Sequence, residues 1–319
     1  MKINKMNTGK YLIASTSILI AITILMFVSF MATSVFSVDN DWFNMTVDIT
    51  NTAPYILAST MAFNDTVVGN NIILTASSET NLVYCNATAS DVNGWQDIVS
   101  ASANFWHSSS TVDAANDKNV HYSAANGVMG VGNCNIVTGS GSGNDVPIVC
   151  QINLEHEATD GTWTCNITVT DSATATGSNL TTAAVAELVA MTVTNDTLDY
   201  GDMAPGATSS SLSANITNEG NHQIGVLVNG TNMTCSVTGN IPITTNIKYD
   251  KDIGDAYAAM AQFLTGSQVQ VSGFALQPEG ISPFAEDQNS SANTFWAISV
   301  PLGVKGSCLG NVTVTAIAV

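Results

Sequence analysis

Arginine is absent from this 319-residue chain, and its seven basic residues are all lysine. Charged residues make up only 10% of it, well under the usual quarter. Apolar runs of membrane length are as scarce, with one at Leu12–Val35 and no second. Each shortage excludes something. Nucleic-acid binding requires several Lys or Arg side chains to neutralise phosphates, and planar anions usually recruit Arg. Nucleic acid and anionic lipid are therefore excluded as partners, leaving cations, neutral glycans and other proteins. The sequence also lacks HExxH, GxSxG and phosphate-loop patterns. No closely spaced CxxC pair offers a zinc site. No enzyme and no organic cofactor is expected.

What is present begins with Leu12–Val35, which carries no charge and follows Lys2, Lys5 and Lys10. About 20 apolar residues match a hydrocarbon core of roughly 30 Å. Basic residues stay on the cytoplasmic side, so the chain from Asp39 onward is expected outside. Residues 1–37 are read as a signal or anchor helix and 38–50 as a short stalk. The length of the run favours a retained anchor. Small residues leave cleavage after Ser34 or Ser37 open, which would give a secreted protein, and Gly9-Lys10-Tyr11 loosely resembles a pilin-type leader site. With no second apolar run, any anchor is expected at the N-terminus. Beyond residue 37, four lysines (Lys118, Lys248, Lys251 and Lys305) stand against 25 acids, a net charge of −21. The imbalance comes from missing bases rather than surplus acids.

Strand-type alternation dominates the exported part. Trp163, Cys165, Ile167 and Val169 point one way, and Thr164, Asn166, Thr168 and Thr170 the other. Leu212, Ala214 and Ile216 alternate with polar residues, as do Val312, Val314, Ala316 and Ala318. Polar turns such as Asn93-Gly94 and Glu219-Gly220-Asn221 separate these runs. The chain is predicted to be all-β: two tandem immunoglobulin-like β-sandwich domains, 51–186 and 187–319, after an N-terminal hydrophobic helix. Asp255–Leu264 is the one segment predicted as a short helix.

Six cysteines in an exported chain favour disulfides. The domain boundary separates Cys85, Cys134, Cys150 and Cys165 from Cys235 and Cys308, which leaves one pairing in the second domain. Cys85 and Cys165 both lie mid-strand on an apolar face and are expected to join two sheets, with Cys134–Cys150 closing the Gly/Ser-rich loop between them. Eleven Asn-x-Ser/Thr acceptors begin at Asn44, Asn64, Asn86, Asn166, Asn179, Asn195, Asn215, Asn229, Asn232, Asn289 and Asn311. Asn86, Asn166, Asn215, Asn229 and Asn311 are the chosen glycosylation candidates. Asn86 and Asn166 each follow a cysteine, so alternation puts them on the outer face.

For metal chemistry, Asp91, Asn93 and Asp97 gather hard oxygens around a Gly turn, which suits calcium, although a plain Asx-type turn explains the same residues. Asp113, Asn116, Asp117 and Asn119 form a second polar cluster, and Asp250, Asp252 and Asp255 a third. Glu155-His156-Glu157 offers acid–base groups, but alternation from Cys150 reads His156 as a strand end. Trp42, Trp95, Trp106, Trp163 and Trp296 are expected core anchors. Trp95, beside its Gly turn, is the most exposed of them and the one expected to contact a glycan or protein.

The stretch Asp160-Gly161-Thr162-Trp163-Thr164-Cys165, continuing through Asp171, resembles the late strand of immunoglobulin-like and PKD-like domains. Trp163 stands where tyrosine is usual, so the resemblance does not carry over that family's tyrosine-corner hydrogen bond. Asp199–Thr208 followed by Asn215–Asn221 is similar to the CARDB/ASH/MSP-like branch. With Asn93–Ile98, the chain also resembles surface proteins of small-celled archaea, which implies a cell-surface location. The expected function is a non-catalytic surface structural or adhesion protein held at the membrane by its N-terminal helix. The alternatives are a filament subunit, pilin-like or strand-exchanging, and a secreted enzyme or glycan-binding domain.

Overall fold

The computed structural model describes residues 44–65, 71–76, 81–126, 132–251, 256–280 and 290–319. The Leu12–Val35 run, with its anchor, cleavage and leader readings, lies outside these residues, as do Trp42, Asp252, Asp255 and Asn289. No helix among the described residues is long and apolar enough to cross a membrane. The chain divides into two compact units, Met1–Thr50 and Asn51–Val319. Of the first, residues 44–50 are exposed and carry neither helix nor strand. Among the described residues of the second unit, nearly all regular secondary structure is strand.

Its first ten strands are β1 (Tyr55–Ile56), β2 (Ala62–Asp65), β3 (Asn71–Ile72), β4 (Asn81–Ser90), β5 (Ile98–His107), β6 (His121–Asn126), β7 (Gly132–Ile136), β8 (Asp145–Leu154), β9 (Gly161–Asp171) and β10 (Thr176–Val185). They form one sheet in the order β1-β4-β8-β7-β6-β5-β9-β10-β3, with β2 also paired to β4. Period-2 alternation sets the faces: Trp163, Cys165, Ile167 and Val169 of β9 are fully buried, and the threonines between them are not.

Strands β4 and β9 are five steps apart in this order, about 24 Å in a flat sheet at roughly 4.8 Å per strand. Yet Cys85 of β4 and Cys165 of β9 are disulfide-bonded, with Cα atoms 6.5 Å apart. The sheet therefore folds back on itself around its core. Two separate sheets were expected here, but the parallel pair β6–β7, with Ala125 opposite Asn133, stitches the layers into one ladder. The enclosed core includes Val83, Phe105, Ile148, Ile152, Leu154 and Trp163. Cys134–Cys150 is a second bond, between residues directly opposite on β7 and β8.

The remaining strands are β11 (Met191–Thr194), β12 (Leu212–Asn218), β13 (Ile224–Gly230), β14 (Met233–Cys235), β15 (Asn240–Ile241), β16 (Ile247–Asp250), β17 (Gln262–Phe263), β18 (Val269–Gln270), β19 (Ser291–Ile298), β20 (Cys308–Leu309) and β21 (Val312–Ala318). They form three sheets, β11-β12-β19-β16-β17, β18-β13-β21 and β15-β14-β20. Ile216, Ile224, Val226, Val228, Tyr249 and Trp296 lie in a second core, distinct from the first. Cys235–Cys308 joins opposite residues of β14 and β20.

The helix predicted over Asp255–Leu264 is corrected. From Ala256 on, the segment makes one turn at Tyr257–Ala259 and then strand β17. The edge of β16 captures it, with Leu264 N–H donating to the Ile247 carbonyl at 2.9 Å. Tyr257 and Met260 cover Phe295 and Ala297, on the face of β19 away from the second core. Their three-residue spacing mimics helical periodicity, but a single turn supplies it. The one α-helix among the described residues is the four-residue α1 (Ile243–Asn246), entered from Pro242.

Candidate metal centre

The β4–β5 connection, the β9–β10 turn and the chain at Asn51–Thr52 meet around three carboxylates. Asp91 follows the last residue of β4, and Asp97 ends a short 3-10 turn opened by Gly94 at φ 108°, a conformation that glycine adopts without strain. Asp171 is the last residue of β9, and β5–β9 register places it opposite Ile98, next to Asp97. One oxygen from each of Asp91, Asp97 and Asp171 lies within 4.8 Å of the others.

Hydrogen bonds fix the three carboxylates in place. The Asn93 amide donates to Asp91 Oδ1 at 2.7 Å. The Ala175 amide donates to Asp171 Oδ1 at 2.7 Å, and Asn51 Nδ2 donates to Asp171 Oδ2 at 2.8 Å. The Ser172 hydroxyl donates to Asp97 Oδ1, and the Ser172 amide to the Asp97 carbonyl at 2.9 Å. Asp91 is 0% exposed, yet its Oδ2 has no hydrogen-bond partner. No ion pair among the described residues includes any of the three acids. Like charges this close repel by about 3 kcal/mol per pair at an effective dielectric of about 20.

Asp91 and Asp97 thus come together as the sequence reading placed them. Asn93 stands at the rim, where its Oδ1 accepts the Thr52 amide at 2.9 Å. Asp171 was missed because it lies 74 residues from Asp97 and only strand register joins them.

The other polar clusters are occupied with local structure. Asn116 Oδ1 lies 3.3 Å from His121 Nδ1, and Asp117 Oδ1 accepts the Asn119 amide at 2.9 Å. Asn119 is buried and donates through Nδ2 to the Glu157 and Glu279 carbonyls. Asp250 accepts the Lys251 and Ala261 amides. Asp113 is exposed.

His156 is not the strand end it was expected to be. β8 stops at Leu154, and His156 turns into a buried pocket of charge, 3.4 Å from Glu157 and 3.9 Å from Glu219. His222 lies 3.3 Å from Asp160. His107 Nδ1 contacts the Ser109 hydroxyl at 2.8 Å, but it also accepts the Ser109 amide at 3.2 Å, so the contact is a turn at the end of β5.

Trp163 and Trp296 are core residues, as expected. Trp106 is half-buried rather than a core anchor, because it sits on the outward face of β5 between buried Phe105 and half-buried His107. Trp95 is half-buried as well: its ring lies against Gly141, where an added Cβ would come within 2.5 Å of it. Of the five glycosylation candidates, Asn311 is exposed, while Asn86, Asn166, Asn215 and Asn229 are half-buried in mid-strand. Asn215 is also engaged, accepting from Ser291 and donating to Asn293.

No family model and no curated protein sequence matches the chain. Among solved structures it is similar to one described as a chaperone–tip adhesin complex in CFA/I fimbriae biogenesis, at 8% identity and a TM-score of 0.30 over 85% of this chain and 92% of that one. A second, of carbohydrate-binding modules from the β-sandwich superfamily, shares 12% identity at a TM-score of 0.25 over 85% and 98%. A third, the C-terminal domain of the Streptococcus pyogenes antigen I/II-family protein AspA, shares 10% identity at 0.23 over 85% and 100%. These likenesses are too slight to assign a fold family or an activity.

Proposed function

We propose that the chain is a non-catalytic cell-surface protein, its β-sheet unit held outside the membrane by residues 1–37 for adhesion or envelope structure. The carrying observation is cysteine usage: all six form disulfides and none is free. Such bonds persist in oxidising compartments and are rare in the cytosol. The arginine-free, acidic composition favours neutral glycans or other proteins as partners. The non-catalytic part rests on the histidines, whose contacts are with turn residues and acids that hold the fold. The likeness of Asn93–Ile98 to archaeal surface proteins points the same way. Exposed Asn311 is the glycan acceptor with the fewest steric demands among the five candidates.

Protease shaving of intact cells, combined with sequencing of the mature N-terminus, tests this reading. Surface fragments from a chain that retains residues 1–37 support tethering. A chain inaccessible on intact cells overturns the surface location. A cut near Gly9 with filaments under electron microscopy replaces the tether with a filament subunit.

A further inference from the structure

We infer that Asp91, Asp97 and Asp171 form a binding site for one hard divalent cation, and that calcium is its ligand. Oxygens bound to one ion at about 2.4 Å can be separated by at most about 4.8 Å, and these three lie within that span of one another. Proximity alone would be ordinary for acids. The second observation is Asp91 itself, fully buried with an Oδ2 that no donor reaches. A buried carboxylate oxygen is normally satisfied by a hydrogen bond, an ion pair or a metal. No ion pair among the described residues serves this cluster, and the four lysines beyond residue 37 are too few to balance 25 acids.

The donor set selects the ion. All three ligands are oxygens, with neither sulfur nor imidazole among them, which turns the site away from zinc and copper. Magnesium needs a near-ideal octahedron, whereas calcium accepts six to eight oxygens in flexible geometry and completes its shell with water. Calcium would reinforce the link between the β4–β5 loop and the β9–β10 turn, which the Ile98–Asp171 pairing and the Ser172–Asp97 hydrogen bonds already join. Through Asn51, which donates to Asp171, it would also steady the first residues of the β-sheet unit. The site does not depend on where the protein resides, so it and the surface reading can fail separately.

The test uses the full chain stripped with EDTA and titrated with calcium chloride, followed by calorimetry and by thermal unfolding. The expected result is one calcium per chain, with a melting temperature raised by about 5 °C or more at a hundredfold excess over Kd. Magnesium should give a smaller rise. Asp91→Asn keeps the oxygen that accepts the Asn93 amide and should lose calcium binding while melting near the stripped parent. Asp171→Asn keeps the acceptor for Ala175 but loses the one for Asn51, and should lose calcium binding while melting somewhat below the stripped parent. Should either fail to fold, half-buried Asp97→Asn carries the same expectation, and exposed Asp113→Asn should keep full binding. Absence of both a binding heat and a thermal shift in the parent overturns the site. So does an Asp97→Asn protein that binds calcium as the parent does.

Discussion

Lys118 Nζ lies 2.8 Å from Glu157 Oε1, on a carboxylate whose side chain is only 3% exposed. Glu279 adds a second acid at 3.6 Å, and the neighbouring Asn119 bonds the Glu157 and Glu279 carbonyls. Burial alone would lower the Lys118 ammonium, but the Glu157 hydrogen bond and the charges of Glu157, Glu279 and Glu155 outweigh it and hold its pKa above the ordinary lysine value. Removing Lys118 leaves the buried Glu157 charge stranded; because Lys118 is itself a third exposed and screened by solvent, the cost is about 2 kcal/mol, below that of a fully buried pair. Lys118→Met should lose about that much in urea unfolding, while the double variant Lys118→Met/Glu157→Met should recover most of it. Because the folded pKa is raised, this contribution is fully present below the unfolded lysine value and disappears only as pH rises through the folded one. Parent and Lys118→Met should therefore converge in stability only at strongly alkaline pH.

The disulfides should rank by the loops they close. Cys85–Cys165 spans 80 residues and Cys134–Cys150 spans 16. Chain entropy assigns about 4.5 kcal/mol to the first and about 3 kcal/mol to the second. Paired Cys→Ala variants, compared by denaturant midpoint, should show the larger loss for Cys85/Cys165. Equal losses would indicate that residual structure in the unfolded chain, rather than loop entropy, sets the effect.

Trp163 donates its indole N–H to the Thr159 carbonyl, four residues upstream, at 2.7 Å. The tyrosine corner of immunoglobulin domains ties a strand back to its preceding turn in a related way. Trp163→Phe keeps an aromatic ring but strands that carbonyl and shrinks the side chain, and should destabilise by about 2–4 kcal/mol. Trp163→Tyr is the informative comparison: a smaller loss than with Phe would show that the phenol restores part of the bond.

Histidine titration gives a slope of known sign. Burial lowers the His107 pKa, and the hydrogen bond its ring donates to the Asp160 backbone, with the Asp160 charge, only partly opposes this. Between the lowered folded value and the ordinary value of 6.5, the unfolded chain binds the proton that the folded chain refuses. This part of the stability is complete above pH 6.5 and is lost as pH falls through the folded value. His107→Gln should flatten the acid side of the stability profile relative to the parent, measured by chemical denaturation from pH 7.5 to 5.

The alternation of β9 was legible because Trp163, Cys165, Ile167 and Val169 are apolar and the residues between them are Thr or Asn. The same alternation places Cys85 and Cys165 inward. Asp91 and Asp97 were legible as a turn cluster because they lie only six positions apart. The turn at Tyr257–Ala259 was not, since Ala-rich sequence with apolar residues three apart fits a helix as well as a single turn over a strand edge. Nor was the approach of His156 to Glu219, which arrives from the second half of the unit.

By itself, the sequence determined the alternating strands and their inward faces, because these follow from residue type and a local period of two. Only the tertiary structure decided that β6 and β7 pair in parallel and close two layers into one sheet, and that Asp171 joins Asp91 and Asp97. Both are matters of register between strands far apart in the chain. Register is set by the packing of whole faces against a shared core, which no local pattern encodes.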